Sequence, residues 1–116
     1  MSLQNNLYTV QPVEDEFQIR FCVSHSIFAG HFPGHPIVPG AILVQIAEEL
    51  VSSTTGKALH TQTIRNLKFR KAITPDMQVR FSLIPHDSNT YLIDIHNINN
   101  QYAQFSATYL CADSNV

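Results

Sequence analysis

Charge is what this chain of 116 residues has least of. Only 14% of its residues are Asp, Glu, Lys or Arg, and the net charge is −2. That excludes the dense basic surface with which a nucleic-acid binder gathers phosphates, so no nucleic acid is expected as a partner. Cysteine is nearly absent. Cys22 and Cys111 fit no metal or redox spacing, and a chain without secretory features is expected in a reducing cytoplasm. No apolar run reaches the length of a membrane span. The polar segment Met1 to Val10 lacks a basic region followed by an apolar one, so neither a signal peptide nor a membrane partner is expected. There are no internal repeats, low-complexity tracts or linker-like boundaries, and the length suits one domain, 1–116, with residues 1–12 loosely held. Glycine is scarce as well: of four in the chain, Gly30, Gly34 and Gly40 fall in one short stretch.

That stretch, residues 28 to 50, is what the chain turns on. Pro33, Pro36 and Pro39 fix φ and block any helix before residue 40. From Ala41 the composition switches to helix formers, apolar on nearly all sides until Glu48, and Gly56 sits where a C-terminal cap belongs. A stiff loop carrying a histidine and emptying into a helix N-terminus is suited to holding chemistry in place. The unsatisfied N–H groups there can polarise a carbonyl oxygen.

Around the helix the sequence reads as strands. Glu14 to Ser24 alternates Phe17, Ile19, Phe21 and Val23 with polar residues, and Leu7 to Val10 suggests a short edge strand. His25 to Pro39 reads as loop. Thr61 to Ala72, Met77 to Pro85, Thr90 to Ile98 and Gln101 to Cys111 follow, separated by turn signals at Thr74-Pro75-Asp76, His86 to Asn89 and Asn99-Asn100. The apolar fraction of 44% suffices for a core. One apolar helix must be wrapped, and a strongly curved antiparallel sheet is the only wrapping available. The expected fold is α+β, with the central helix in the sheet's concave face and a strand edge inviting a second copy.

The run Gly30-His31-Phe32-Pro33-Gly34-His35-Pro36-Ile37-Val38-Pro39-Gly40 resembles the signature of the β-hydroxyacyl-(acyl carrier protein) dehydratase family, which has the hotdog fold. Residues 64 to 76, from Ile64-Arg65-Asn66-Leu67 to Thr74-Pro75-Asp76, resemble the family's second block, and the likeness covers about residues 17 to 110. The resemblance implies dehydration of a (3R)-3-hydroxyacyl thioester, carried on acyl carrier protein or CoA, to the trans-2-enoyl thioester. It implies a site at a homodimer interface with no metal or cofactor. By position His31 corresponds to the catalytic base and Gly40 to the glycine whose N–H holds the thioester oxygen. Phe32, Pro39, Ala41 and Glu49 are expected to contact substrate. The family's acid, fourteen residues after the histidine, is here Gln45, which can hold the hydroxyl or a water but cannot deliver a proton.

That departure keeps other readings open: a hotdog thioesterase, or an inactive acyl-carrier-binding subunit paired with an active homologue. Blander roles stand beside the sharp ones. Glu48 and Glu49 read as the helix's polar exit face, Arg65, Lys68, Arg70 and Lys71 as a solvated strand face or a docking patch for an anionic carrier, and Tyr102, Phe105 and Tyr109 as core or interface aromatics. His31 and His35 have metal-like spacing, but Pro33 forbids helical register and no third ligand is evident, so no metal is expected.

Overall fold

The computed structural model describes residues 3–29 and 36–111. They form β1 (Tyr8–Val13), β2 (Glu16–Phe21), a one-turn helix α1 (Ser26–Ala29), the long helix α2 (Gly40–Thr55), β3 (Leu59–Phe69), β4 (Gln78–Pro85), β5 (Thr90–His96) and β6 (Gln101–Cys111). The strands make one six-stranded sheet in the order β1-β2-β4-β5-β6-β3, with every neighbouring pair antiparallel. Period-two alternation accounts for the buried face: Ile19, Val79, Phe81, Ile93, Ile95, Phe105 and Ala107 are all fully buried. They pack against Leu43, Ile46, Ala47, Leu50 and Val51, the stripe that α2 turns toward the sheet. Tyr102, Phe105 and Tyr109 are core residues, each at most 3% exposed.

The boundaries of α2 follow from its flanking residues. Pro39, with φ −61° and ψ 145°, holds the chain extended up to Gly40. Gly56 closes the helix in the left-handed region at φ 71°, where its N–H reaches the Ser52 carbonyl at 2.9 Å. The helix is not apolar on all sides: Gln45, Glu48 and Glu49 sit half-buried across it from the core stripe. Among the described residues no helix is long and apolar enough to cross a membrane.

Four expectations need correction. Residues 3–12 are not loosely held. β1 pairs with β2 along its whole length, and Leu7 and Tyr8 are 1% exposed, because two large apolar side chains there complete the core. The strand read from Glu14 starts only at Glu16, since Glu14 turns the β1–β2 hairpin with φ 58°. The loop read from His25 contains α1. β3 begins at Leu59 and ends at Phe69, with bulges at Thr61/Thr63 and Arg65/Lys68 and a left-handed Asn66 at φ 56°.

Candidate functional site at the start and outward face of the long helix

Of the residues picked out from sequence, His31 and Phe32 lie outside the described residues, as does His35. Pro39, Gly40 and Ala41 open α2, and Gln45 and Glu49 lie on its second and third turns. The carbonyl of Pro39 already accepts from Ile42 N–H at 3.0 Å, so the helix begins immediately after it. Among the described residues no acceptor meets the N–H of Gly40, and Pro39 contributes no side-chain cap. That N–H stands at the positive end of a sixteen-residue helix.

A cleft of about 320 Å³ opens beside this terminus, between Ile37, Val38, Gly40 and Leu43 on one side and the segment from Phe69 to Ile73 on the other. Phe69 lies directly on Gly40: a Cβ there would come 2.6 Å from the ring's Cζ. Arg70 and Lys71 form the cleft's charged rim, with Lys71 Nζ donating to Asn100 Oδ1 at 2.7 Å.

On the outward face of α2, Gln45 Nε2 donates to Glu48 Oε2 and to Glu49 Oε2, both at 3.2 Å. Neither carboxylate is a solvated exit group. Glu48 Oε1 accepts from the N–H of Thr61 at 2.6 Å and from its hydroxyl at 2.8 Å, tying the helix to β3. Glu49 accepts from Leu3 N–H at 2.8 and 3.0 Å, from Gln4 N–H at 3.2 Å and from the Tyr8 hydroxyl at 2.9 Å, tying the helix to the N-terminal segment. Burial first, and then the hydrogen bond to Glu49, push the Tyr8 phenol far above its usual range, so it remains a donor. Tyr109 is likewise pushed up, by burial and then by Glu48, and its hydroxyl has no hydrogen-bond partner among the described residues.

Sequence reasoning singled out Gly40, Gln45 and Glu49 but did not see Phe69 over the glycine or the anchoring of both glutamates. The visible signal was a pair of acids on an otherwise apolar helix. Their partners lie in β3 and at the N-terminus, too far along the chain for spacing to link. Among the described residues no group of three or more His, Cys, Asp or Glu side chains is placed to hold a metal ion.

Comparison with known proteins agrees with this architecture. A chain of the dehydratase heterocomplex ApeI:P from Xenorhabdus doucetiae superposes with a TM-score of 0.69, covering 87% of this chain and 91% of that one at 17% identity. An uncharacterized protein from Erwinia carotovora subsp. atroseptica gives 0.62, over 89% and 90%, at 20% identity. At such identities the likeness establishes the fold alone. In sequence, 3-hydroxyacyl-[acyl-carrier-protein] dehydratase FabZ of Gluconobacter oxydans is 42% identical over 67 residues, which are 50% of this chain and 40% of the relative. The chain spans between 38% and 59% of the length of the curated relatives it matches. The ApeI-like family model, described as ApeI dehydratase, matches residues 9–106, most of the chain, and the protein belongs to that family of hotdog-fold dehydratases.

Proposed function

We propose that the protein removes water from a (3R)-3-hydroxyacyl thioester, carried on acyl carrier protein or CoA, to leave the trans-2-enoyl thioester. The observation that carries this is the N–H of Gly40, met by no acceptor among the described residues, at the start of α2 next to a cleft rimmed by Arg70 and Lys71. An α-proton is a poor acid until its carbonyl is polarised, and a helix N-terminus supplies that polarisation without a metal. His31 takes the α-proton, and the Gly40 N–H holds the thioester oxygen as enolate charge develops. The carbon–oxygen bond then breaks, and the departing hydroxide recovers the proton from the imidazolium and leaves as water. Gln45 holds the β-hydroxyl. Phe32, Pro39 and Ala41 line the approach, and Arg70 and Lys71 receive the anionic groups of the carrier.

The same reading places the site at an interface between two hotdog chains in the cytoplasm. The partner is a second copy or a different hotdog chain; the Xenorhabdus relative named above is described as part of a heterocomplex. The test is a mass-spectrometric assay on purified protein with medium-chain 3-hydroxyacyl- and enoyl-carrier-protein. Interconversion that falls roughly 10²–10⁴-fold in His31→Ala is expected. No interconversion by the protein alone or with a second hotdog chain, together with thiol release from unhydroxylated acyl thioesters, would replace this reading with a thioesterase.

A further inference from the structure

The place where the resemblance implies an acid holds an amide, and the amide is not left to choose its own orientation. Gln45 lies across α2 from the core stripe, and its Nε2 is shared between Glu48 Oε2 and Glu49 Oε2 at 3.2 Å each. A carboxylate can only accept, so both hydrogens of the amide group are committed and Oε1 is turned away from the pair. The two carboxylates are themselves fixed from opposite sides. Thr61 in β3 holds Glu48, while Leu3, Gln4 and Tyr8 hold Glu49. An unanchored glutamine would present either end to a ligand with nearly equal ease. Here, flipping it would place Oε1 against two anions and take one donor from each, and hydrogen bonds to charged groups are the stronger kind.

We propose that Glu48 and Glu49 are positioning residues that fix Gln45 as a hydrogen-bond acceptor, so that this site selects thioesters bearing a hydrogen-bond donor at the β-carbon. The inference rests on the placement of Gln45 against the β-hydroxyl in the function proposed above. It adds that the contact is made by Oε1 accepting from the hydroxyl, never by the amide donating to it. It follows that Gln45 supplies no proton to the leaving oxygen. The proton His31 removes from the α-carbon is the one that departs with the hydroxide, and the elimination balances with no second acid.

The test is a binding measurement, so it does not depend on turnover. Three medium-chain pantetheine-derived ligands, with the thioester sulfur replaced by nitrogen so that the α-proton of the resulting amide is too weakly acidic for elimination, carry a hydroxyl, a fluorine or a hydrogen at the β-carbon. Fluorine has nearly the hydroxyl's size but cannot donate. The wild type is expected to bind the hydroxyl ligand about fivefold to tenfold more tightly than the other two, the ratio one hydrogen bond provides. In Glu48→Gln and Glu49→Gln the neighbouring side chain gains a donor of its own, which lets the amide turn over. The hydroxyl preference should then shrink toward unity, by a larger factor than affinity for the plain acyl ligand changes. A merely structural role for the glutamates would weaken all three ligands together, and that result overturns the inference. So does a fluorine ligand that binds as well as the hydroxyl, or a wild type that binds none of the three. A protein with the expected preference and no enoyl product keeps the inference and loses the dehydratase reading.

Discussion

At the scale of single residues, Gly40 shows why one position admits one side chain. Its φ needs no glycine, since it is an ordinary helical residue; what needs glycine is the ring of Phe69, Cζ of which would stand 2.6 Å from a Cβ. Alanine at this position sets two effects against each other. Helix propensity gains up to about 1 kcal/mol, and forcing a carbon into a filled space costs about 1–3 kcal/mol. Phe69 is 53% exposed, so its ring can swing toward solvent, which keeps the cost at the low end. Gly40→Ala should therefore shift Tm by only a few degrees, while the rebuilt cleft cuts kcat/KM by tenfold or more. Phe69→Leu in the same chain should return much of the activity, because the shorter side chain makes room. Thermal melts paired with dehydration rates decide the matter: a large drop in Tm with no rescue would mean that the backbone, not the ring, enforces the glycine. Gly40 was legible in the sequence as the residue opening the helix. The reason it must be glycine was not, because the ring that enforces it belongs to β3.

Among elements, the outer face of the sheet carries its own polar set. Glu16 on β2 accepts from the Ser82 hydroxyl on β4, from His96 Nε2 on β5 at 3.0 Å and, more distantly, from Arg80 at 3.7 Å. The same ring nitrogen of His96 also faces Ser82, at 3.1 Å. A serine–histidine–acid relay needs the acid on the other nitrogen, so this cluster is a clasp across three strands and not a second catalytic site. The Ser82 hydrogen bond is the largest influence; it is opposed by burial, and with the further help of His96 and Arg80 it holds the Glu16 carboxyl below its ordinary 4.5. A depressed carboxyl stabilises the fold above its unfolded value, and that contribution disappears as pH falls through the folded value. Urea unfolding of wild type and Glu16→Gln should thus differ most at neutral pH and converge as pH drops below about 4.5. Ser82→Ala should remove more of this pH dependence than Arg80→Ala, and a gap that stays constant with pH would refute the clasp. The strands themselves were legible because alternation is local: β4, β5 and β6 fall within a residue or two of the runs of alternating side chains. What sequence could not supply were links between distant segments. The turn at Glu14 has no glycine to announce it, and Glu49 reads as an ordinary polar helix residue until Leu3 and Tyr8 are placed beside it.

For the whole molecule, the sheet order leaves two outer strands, and they are not alike. β1 has six residues and carries Pro12, which removes one N–H from any further ladder. β3 has eleven, pairs among the described residues only with β6, and exposes Leu67 to 44% next to Phe69. A long strand edge with exposed apolar side chains favours a partner, and its end borders the Gly40 cleft. If the site is completed across that edge, assembly and activity must fail together. Leu67→Lys introduces like charges facing each other across a twofold contact without touching the core, so the monomer's fold should survive. Sedimentation velocity should show wild-type dimers and Leu67→Lys monomers, with matching far-ultraviolet circular dichroism. Dehydration by the variant should be lost at low protein concentration and partly recovered at high concentration, since mass action refills a weakened dimer. A fully active monomer would place every group of the site within one chain and remove the partner from the mechanism.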